Sequence, residues 1–209
     1  MPVSAFLYGH YACPHTYIAQ GRLDLLASEA PVTVTWRPLP PAESAAADAA
    51  AGVEVGWQMA TEPGVPLAET LQALRRDAAA LGLTLSLPAT PPDPRTALHA
   101  TEFAADCGPA EFARLHRALF RAVFVDGRDI EQRDVIIDLA VDVGLDAEGL
   151  GAALDDGRYE QMLRDVEAEA ARYQIDATPT ILIGRFKLVG AAPLDVLGST
   201  LERALEADG

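Results

Sequence analysis

Two cysteines occur among the 209 residues, Cys13 and Cys107, too few for a disulfide scaffold. Each sulfur must therefore be read as chemistry or as packing. Cys13 lies in the run Cys13-Pro14-His15-Thr16. A thiol attacks as its thiolate, and an ordinary cysteine, with a pKa of about 8.5, is mostly protonated at neutral pH. Proline is tolerated in the first turn of a helix, and Ile18, Arg22 and Leu25/Leu26 follow at helical spacing, so Cys13 is expected at a helix N-terminus. Unpaired N–H groups and the helix dipole favour negative charge there, and the thiol pKa is expected to fall. His15 can add positive charge or a donor near the sulfur, and the Thr16 hydroxyl can donate a further bond to the thiolate.

The other candidates read differently. Cys107, in Asp106-Cys107-Gly108-Pro109, falls between helices and is expected to pack. Its alternative, resolving Cys13, requires Cα atoms within ~7 Å. His10, Cys13 and His15 crowd into one turn without a fourth ligand, so no metal site is expected. His99 and His116 read as surface or hydrogen-bonded structural residues. Trp57 and Met59 read as core or lid packing, or as the lining of a substrate groove. Tyr8 and Tyr17 flank the sulfur in sequence, and either is a candidate to lend its hydroxyl to a bound ligand.

The elements that must hold Cys13 begin with a short apolar run, Val3 to Tyr8, ended by Gly9-His10 and read as a buried strand. After the first helix, Val32 to Arg37 is rich in β-branched residues and is halted by Pro38, Pro40 and Pro41. From about Glu43 to Gln174 the recurring period is 3.6. Ala45 to Ala51 is a weak helix or a loop, and Leu67 to Leu81 is a helix stopped by Gly82. Pro88, Pro91, Pro92 and Pro94 force an extended connection into further helices. Phe112, Leu115, Leu119, Phe120, Val123 and Phe124 form one apolar stripe, and Ile136, Leu139, Ala140 and Val143 another. Asp146 can N-cap a helix through Leu154, and Tyr159 to Tyr173 marks one more. Thr180 to Ile183 and Phe186 to Val189 are β-prone runs joined by Gly184-Arg185, as a type II′ hairpin prefers, before a closing helix carrying Leu194, Leu197, Leu201 and Leu205. The outline is βαβ, a long helical insert, then ββα.

Composition narrows the partners. The net charge is −15 and Lys187 is the only lysine, which argues against nucleic acid, since phosphate binding draws on clustered cations. No apolar run reaches the ~18 residues of a membrane span, and no basic start precedes an apolar leader block, so no membrane partner is expected. The default reading is a soluble cytoplasmic protein.

Cys13-Pro14-His15-Thr16 on the first βα turn resembles the CPHC active site of DsbA-type thiol oxidoreductases, with threonine in place of the second cysteine. Ala177-Thr178-Pro179-Thr180 resembles the cis-proline loop of that family, whose backbone faces the reactive sulfur. A proline suits the first residue of a strand, and Thr178 before it can offer backbone groups to an extended substrate. The likeness extends over essentially the whole chain and is closest to the FrnE-like branch, related to 2-hydroxychromene-2-carboxylate isomerase and kappa-class glutathione transferases. Leu119 to Phe124, Gly127-Arg128-Asp129, Ile136 to Asp146 and Val189 to Pro193 carry it beyond the two motifs.

The resemblance implies an α/β, thioredoxin-like fold (βαβ…ββα) with a large all-helical insertion. Residues 1–42 and 175–209 would form the thioredoxin-like domain and 43–174 the inserted helical domain. Cys13, Pro14, His15 and Thr16 would be catalytic, with Thr178 and Pro179 contacting substrate. Thr16 cannot resolve a mixed disulfide, so Cys13 would form one with a small thiol or a protein thiol and be released by a second thiol molecule. No tightly bound cofactor is implied; glutathione or another low-molecular-weight thiol would be co-substrate, and a homodimer stays open. Two alternatives remain: a thiol-dependent isomerase or transferase in which Cys13 stands where relatives activate glutathione, and a non-catalytic binding or chaperone module with an idle thiol.

Overall fold

The structure, a computed structural model, describes residues 2–41 and 67–208. The expectations for Ala45 to Ala51, Trp57 and Met59 lie outside the described residues. Strand β1 (Val3–Gly9) is followed by helix α1 (Pro14–Glu29) and strand β2 (Val32–Pro38). Six helices come next among the described residues: α2 (Leu67–Ala80), α3 (Arg95–Cys107), α4 (Pro109–Phe124), α5 (Arg133–Asp142), α6 (Ala147–Asp155) and α7 (Glu160–Arg172). Strands β3 (Thr180–Ile183) and β4 (Phe186–Val189) and helix α8 (Leu194–Asp208) close the chain.

The strands form one mixed sheet in the order β2-β1-β3-β4. β1 pairs parallel with β2, Leu7 opposite Trp36, and antiparallel with β3, Leu7 opposite Ile181. The parallel pair requires the crossover that α1 supplies. β3 and β4 form the hairpin, and Gly184 has φ 55°. Gln174 is the only non-glycine residue with positive φ among the described residues, so Arg185 does not share the left-handed region. This is the pattern of a type II′ turn, since type I′ needs positive φ at both central positions.

Alternation along β1 sorts the layers. Ala5 and Leu7, with Ile181 and Ile183, pack in the main core with Ala19, Leu23 and Leu26 of α1 and Leu197 and Leu201 of α8. Tyr8 and Phe6 turn to the opposite face, where Leu39 and, from α7, Val166 and Ala170 cover them. The sheet is thus a buried layer whose central strand delivers its C-terminal end, Gly9, to the turn before Cys13. Leu25 is exposed, and the buried face of α1 is Ile18, Ala19, Leu23 and Leu26 instead. Asp146 caps α6, its side chain accepting from the Glu148 N–H at 3.1 Å.

Helix α3 has no single apolar stripe because it is buried nearly all round, through Ala97, Leu98, His99, Ala100, Thr101, Phe103 and Ala104. It is the hub of the helical layer, against which α4 packs by its stripe from Leu115 to Phe124. No helix among the described residues is long and apolar enough to cross a membrane.

Candidate active site

Cys13 is the N-cap of α1, with extended backbone (φ −99°, ψ 112°), and Pro14 occupies the first helical turn, where its missing N–H costs nothing. The Cys13 carbonyl accepts from the Tyr17 N–H at 3.1 Å and its own N–H donates to the His10 carbonyl at 3.2 Å. These two bonds close the turn between strand and helix. Across from it, the Thr178–Pro179 peptide is cis, and the Cys13 thiol donates to the Thr178 carbonyl at 3.6 Å. Residues 165 positions apart therefore meet at one sulfur.

The loop carrying Pro179 is braced on three sides. The Thr180 hydroxyl donates to the Ala177 carbonyl at 2.7 Å, and the Gly190 N–H donates to the Pro179 carbonyl at 2.8 Å. Lys187 reaches from β4 to the carbonyls of Tyr173 and Gln174, at 3.3 and 2.9 Å, where α7 ends and the approach to Pro179 begins. A cation on the last carbonyls of a helix also meets the negative end of its dipole.

The electrostatics of the sulfur differ from the sequence expectation. Cys13 is buried, and burial pushes its thiol pKa above the ordinary value. The Thr16 hydroxyl and N–H, the Thr178 side chain and the His15 N–H pull it down without overcoming burial. The helix N-terminus thus supplies the expected donors, but the loss of hydration outweighs them. Nor does His15 bring a positive charge. Burial lowers its pKa, with Asp77 opposing and Arg22 adding to the effect. His10, buried just before the turn, is lowered by burial to about 4.

Three polar atoms around this turn lack hydrogen-bond partners in the structure: His10 Nδ1, His15 Nε2 and Thr16 Oγ1. Buried polar groups are normally satisfied, and an unsatisfied one costs about 1–3 kcal/mol. Thr16 makes the point most sharply. Its side chain is completely buried and idle beside the neutral thiol, yet its hydroxyl is the strongest of the groups that favour the thiolate. Gly9 makes room for it, since a Cβ there would collide with the γ-carbon and hydroxyl of Thr16.

Other candidates fall into place around this centre. The Tyr8 hydroxyl is engaged with Glu169, which also pairs with Arg37 at 3.2 Å, and so is committed away from a ligand. Tyr17 stacks on Phe124, ring centroids 5.1 Å apart. His99 is a buried partner of Glu160 at 3.2 Å. Both cysteines are free, and Cys107 is exposed at the end of α3, contrary to the packing role expected of it; the Gly108 turn leaves that helix end in solvent. Among the described residues no group of three His, Cys, Asp or Glu is placed to hold a metal.

The sequence marks Gly9 only as the end of a strand and Lys187 only as the single lysine, and it does not single out Glu102. Glu102, on α3, is pushed up to about 7 by burial and then by the Asp106 carboxylate, with Arg37 opposing. Their roles depend on which elements meet, and local periodicity carries no such information.

Known proteins share this arrangement of chain. The Bacillus subtilis (strain 168) protein YwbO, itself uncharacterized, is 27% identical over 207 residues, 94% of each chain. Among solved structures, a 2-hydroxychromene-2-carboxylate isomerase superposes with TM-score 0.77 at 19% identity, covering 98% of this chain and 97% of that one. A probable DsbA oxidoreductase from Streptomyces coelicolor gives 0.76 at 23% identity over 98% and 90%. The cytosolic disulfide reductase DsbM from Pseudomonas aeruginosa, solved with GSH, gives 0.63 at 20% identity over 97% and 99%. These likenesses establish a shared thioredoxin-like fold. The family model of the DSBA-like thioredoxin domain matches residues 7–202, almost the full length, and the chain belongs to that family.

Proposed function

We propose that this protein is a thiol–disulfide oxidoreductase that uses Cys13 as its only reacting sulfur. The observation that carries this reading is the contact between Cys13 Sγ and the Thr178 carbonyl at 3.6 Å, with the unpartnered Thr16 hydroxyl beside the same sulfur. In the resting state the thiol keeps its proton and donates a hydrogen bond to the Thr178 carbonyl. As the proton leaves, that contact is lost and the Thr16 hydroxyl and the N–H groups of His15 and Thr16 receive the negative charge. The thiolate attacks one sulfur of an external disulfide, forming a Cys13 mixed disulfide and releasing the other sulfur as a thiolate, which takes up from water the proton that Cys13 gave to it. A second thiol molecule then attacks the mixed disulfide, takes the substrate sulfur away and returns the electron pair to Cys13.

Thr16 enforces the second molecule, because a hydroxyl cannot complete the exchange within the motif. Glutathione or another low-molecular-weight thiol fits that role, and the reducing cytoplasm is where such thiols keep a single cysteine cycling. Thr178 and Pro179 would hold an extended substrate by backbone contacts. In this reading, residues 1–42 and 175–209 form the thioredoxin-like unit that carries the chemistry, and 43–174 is the inserted domain. The test is turnover of a small disulfide by an external thiol. Cys13→Ser should reduce it to the uncatalysed rate, and full activity in that variant overturns the reading.

The raised pKa of Cys13 favours a second reading. A sulfur kept protonated suits a thiol-dependent isomerase or transferase in which a bound external thiol does the chemistry. Accumulation of a mixed disulfide on Cys13 supports the first reading, and conversion of an electrophile with Cys13 unchanged supports the second.

A further inference from the structure

A polar chain that the reaction itself does not use runs through the core behind Cys13. Tyr11, fully buried in the turn two residues before the sulfur, pairs through its hydroxyl with His116 Nδ1 at 2.7 Å. The other ring nitrogen, Nε2, lies 3.1 Å from Gln20 Oε1 on α1. Gln20 Nε2 donates to Asp24 Oδ1 at 2.7 Å, which fixes its amide with the oxygen facing His116. Every direction then follows. Gln20 Oε1 can only accept, so His116 carries its proton on Nε2, leaving Nδ1 to accept from the Tyr11 hydroxyl.

The surroundings make this chain specific. His116 is buried on α4 within an aromatic cage, stacked on Phe112 and edge-on to Tyr11, Trp36 and Phe120, with centroids 4.8 to 5.4 Å away. Burial, with Arg117 adding to it, holds the ring neutral, its pKa lowered to about 3. A phenylalanine would fill such a cage. What the imidazole adds is two directed bonds, one to the cysteine turn and one to the cysteine helix, from a helix that belongs to neither. Buried polar pairs add little stability over apolar ones of the same shape, and what they add is a fixed geometry.

We infer that His116 is a positioning residue for Cys13: through Tyr11 and Gln20 it locks the turn at 10–13 and the helix α1 to α4, keeping the sulfur buried against Thr178. The inference rests on Cys13 being the reacting sulfur.

The test uses the full chain with Cys107→Ser, so that iodoacetamide reports on Cys13 alone. Tyr11→Phe strands His116 Nδ1, and His116→Phe strands the Tyr11 hydroxyl and leaves the half-buried Gln20 Oε1 without its donor, so each lowers the melting temperature. The double variant replaces both partners with rings of similar shape and recovers much of that loss. All three should alkylate faster than the parent, roughly three- to tenfold at pH 7.5, with the pH midpoint displaced downward as the sulfur gains water. A role confined to stability would return the double variant to the parent rate and midpoint, and that result overturns the inference. So do single variants that alkylate like the parent. Failure of the functional reading looks different: the parent then forms no mixed disulfide with a small disulfide, whatever the alkylation rates of the variants.

Discussion

Replacing Thr16 with valine separates stability from reactivity at the sulfur. Valine keeps both γ-branches, so it fits the space that Gly9 leaves for Thr16 and deletes only the hydroxyl. In the thiol state that hydroxyl is fully buried with no partner, so removing it should stabilise the protein by about 1 kcal/mol. In the thiolate state it is the foremost group lowering the Cys13 pKa. A hydrogen bond to a charged group is worth about 1.5–3 kcal/mol, so its loss should raise that pKa by about one to two units. The thiolate fraction at pH 7.5 then falls about ten- to a hundredfold, while each remaining thiolate becomes about three- to tenfold more nucleophilic. The net expectation is iodoacetamide alkylation slowed roughly three- to tenfold in a protein that melts higher. The assay is the pH–rate profile of Cys13 alkylation with Cys107→Ser as the background, alongside urea melts. A valine variant that is less stable and alkylates at the parent rate would refute the reasoning, since the hydroxyl would then serve the thiol rather than the thiolate.

Gly9→Ala should destabilise by about 1–3 kcal/mol, because its Cβ meets the short, buried Thr16 side chain, and Thr16→Ala in the same chain should recover part of that loss in urea melts. Glu102→Gln should stabilise the protein at pH 8 and not at pH 4. A carboxyl whose folded pKa is raised to about 7 contributes stability that is present below its unfolded value and lost as pH rises through 7; the gain at pH 8 is on the order of 1–2 kcal/mol once partial exposure is allowed for, and equal gains at both pH values contradict it. His10 and His116, lowered to about 4 and about 3, should show no imidazole titration by NMR between pH 5 and 8. Their neutral burial contributes stability that is present above about pH 6.5 and lost as pH falls through those values, so a titration near 6.5 would show the rings to be hydrated.

What could be read in the residues divides along a physical line. The β-branched run from Val32 and the hairpin at Gly184-Arg185 are local matters, decided by patterning and turn chemistry, and the structure has both. Cys13 at the start of α1 follows from Pro14 in the same way. The thiol's electrostatic state is a balance between local donors and burial, and burial comes from packing among distant elements, so the expected fall in pKa became a rise. Helix α3 left no stripe because it is buried nearly all round between Ala97 and Ala104, and periodicity reports best the helices with one wet face. His116 reads in the sequence as a surface or hydrogen-bonded structural residue, and its partners Tyr11 and Gln20, 105 and 96 positions away, are brought to it only by the fold. Gly9 has an ordinary strand context, and only the Thr16 side chain folded over it shows why a larger residue is excluded.

The central claim is that Cys13 forms and loses a mixed disulfide with an outside thiol. Intact mass spectrometry of the Cys107→Ser protein, treated with glutathione disulfide and then with excess glutathione, tests it directly. The account predicts one glutathionyl adduct mapped to Cys13 in the first step and its complete removal in the second. A protein that stays unmodified at Cys13 after the first step contradicts it.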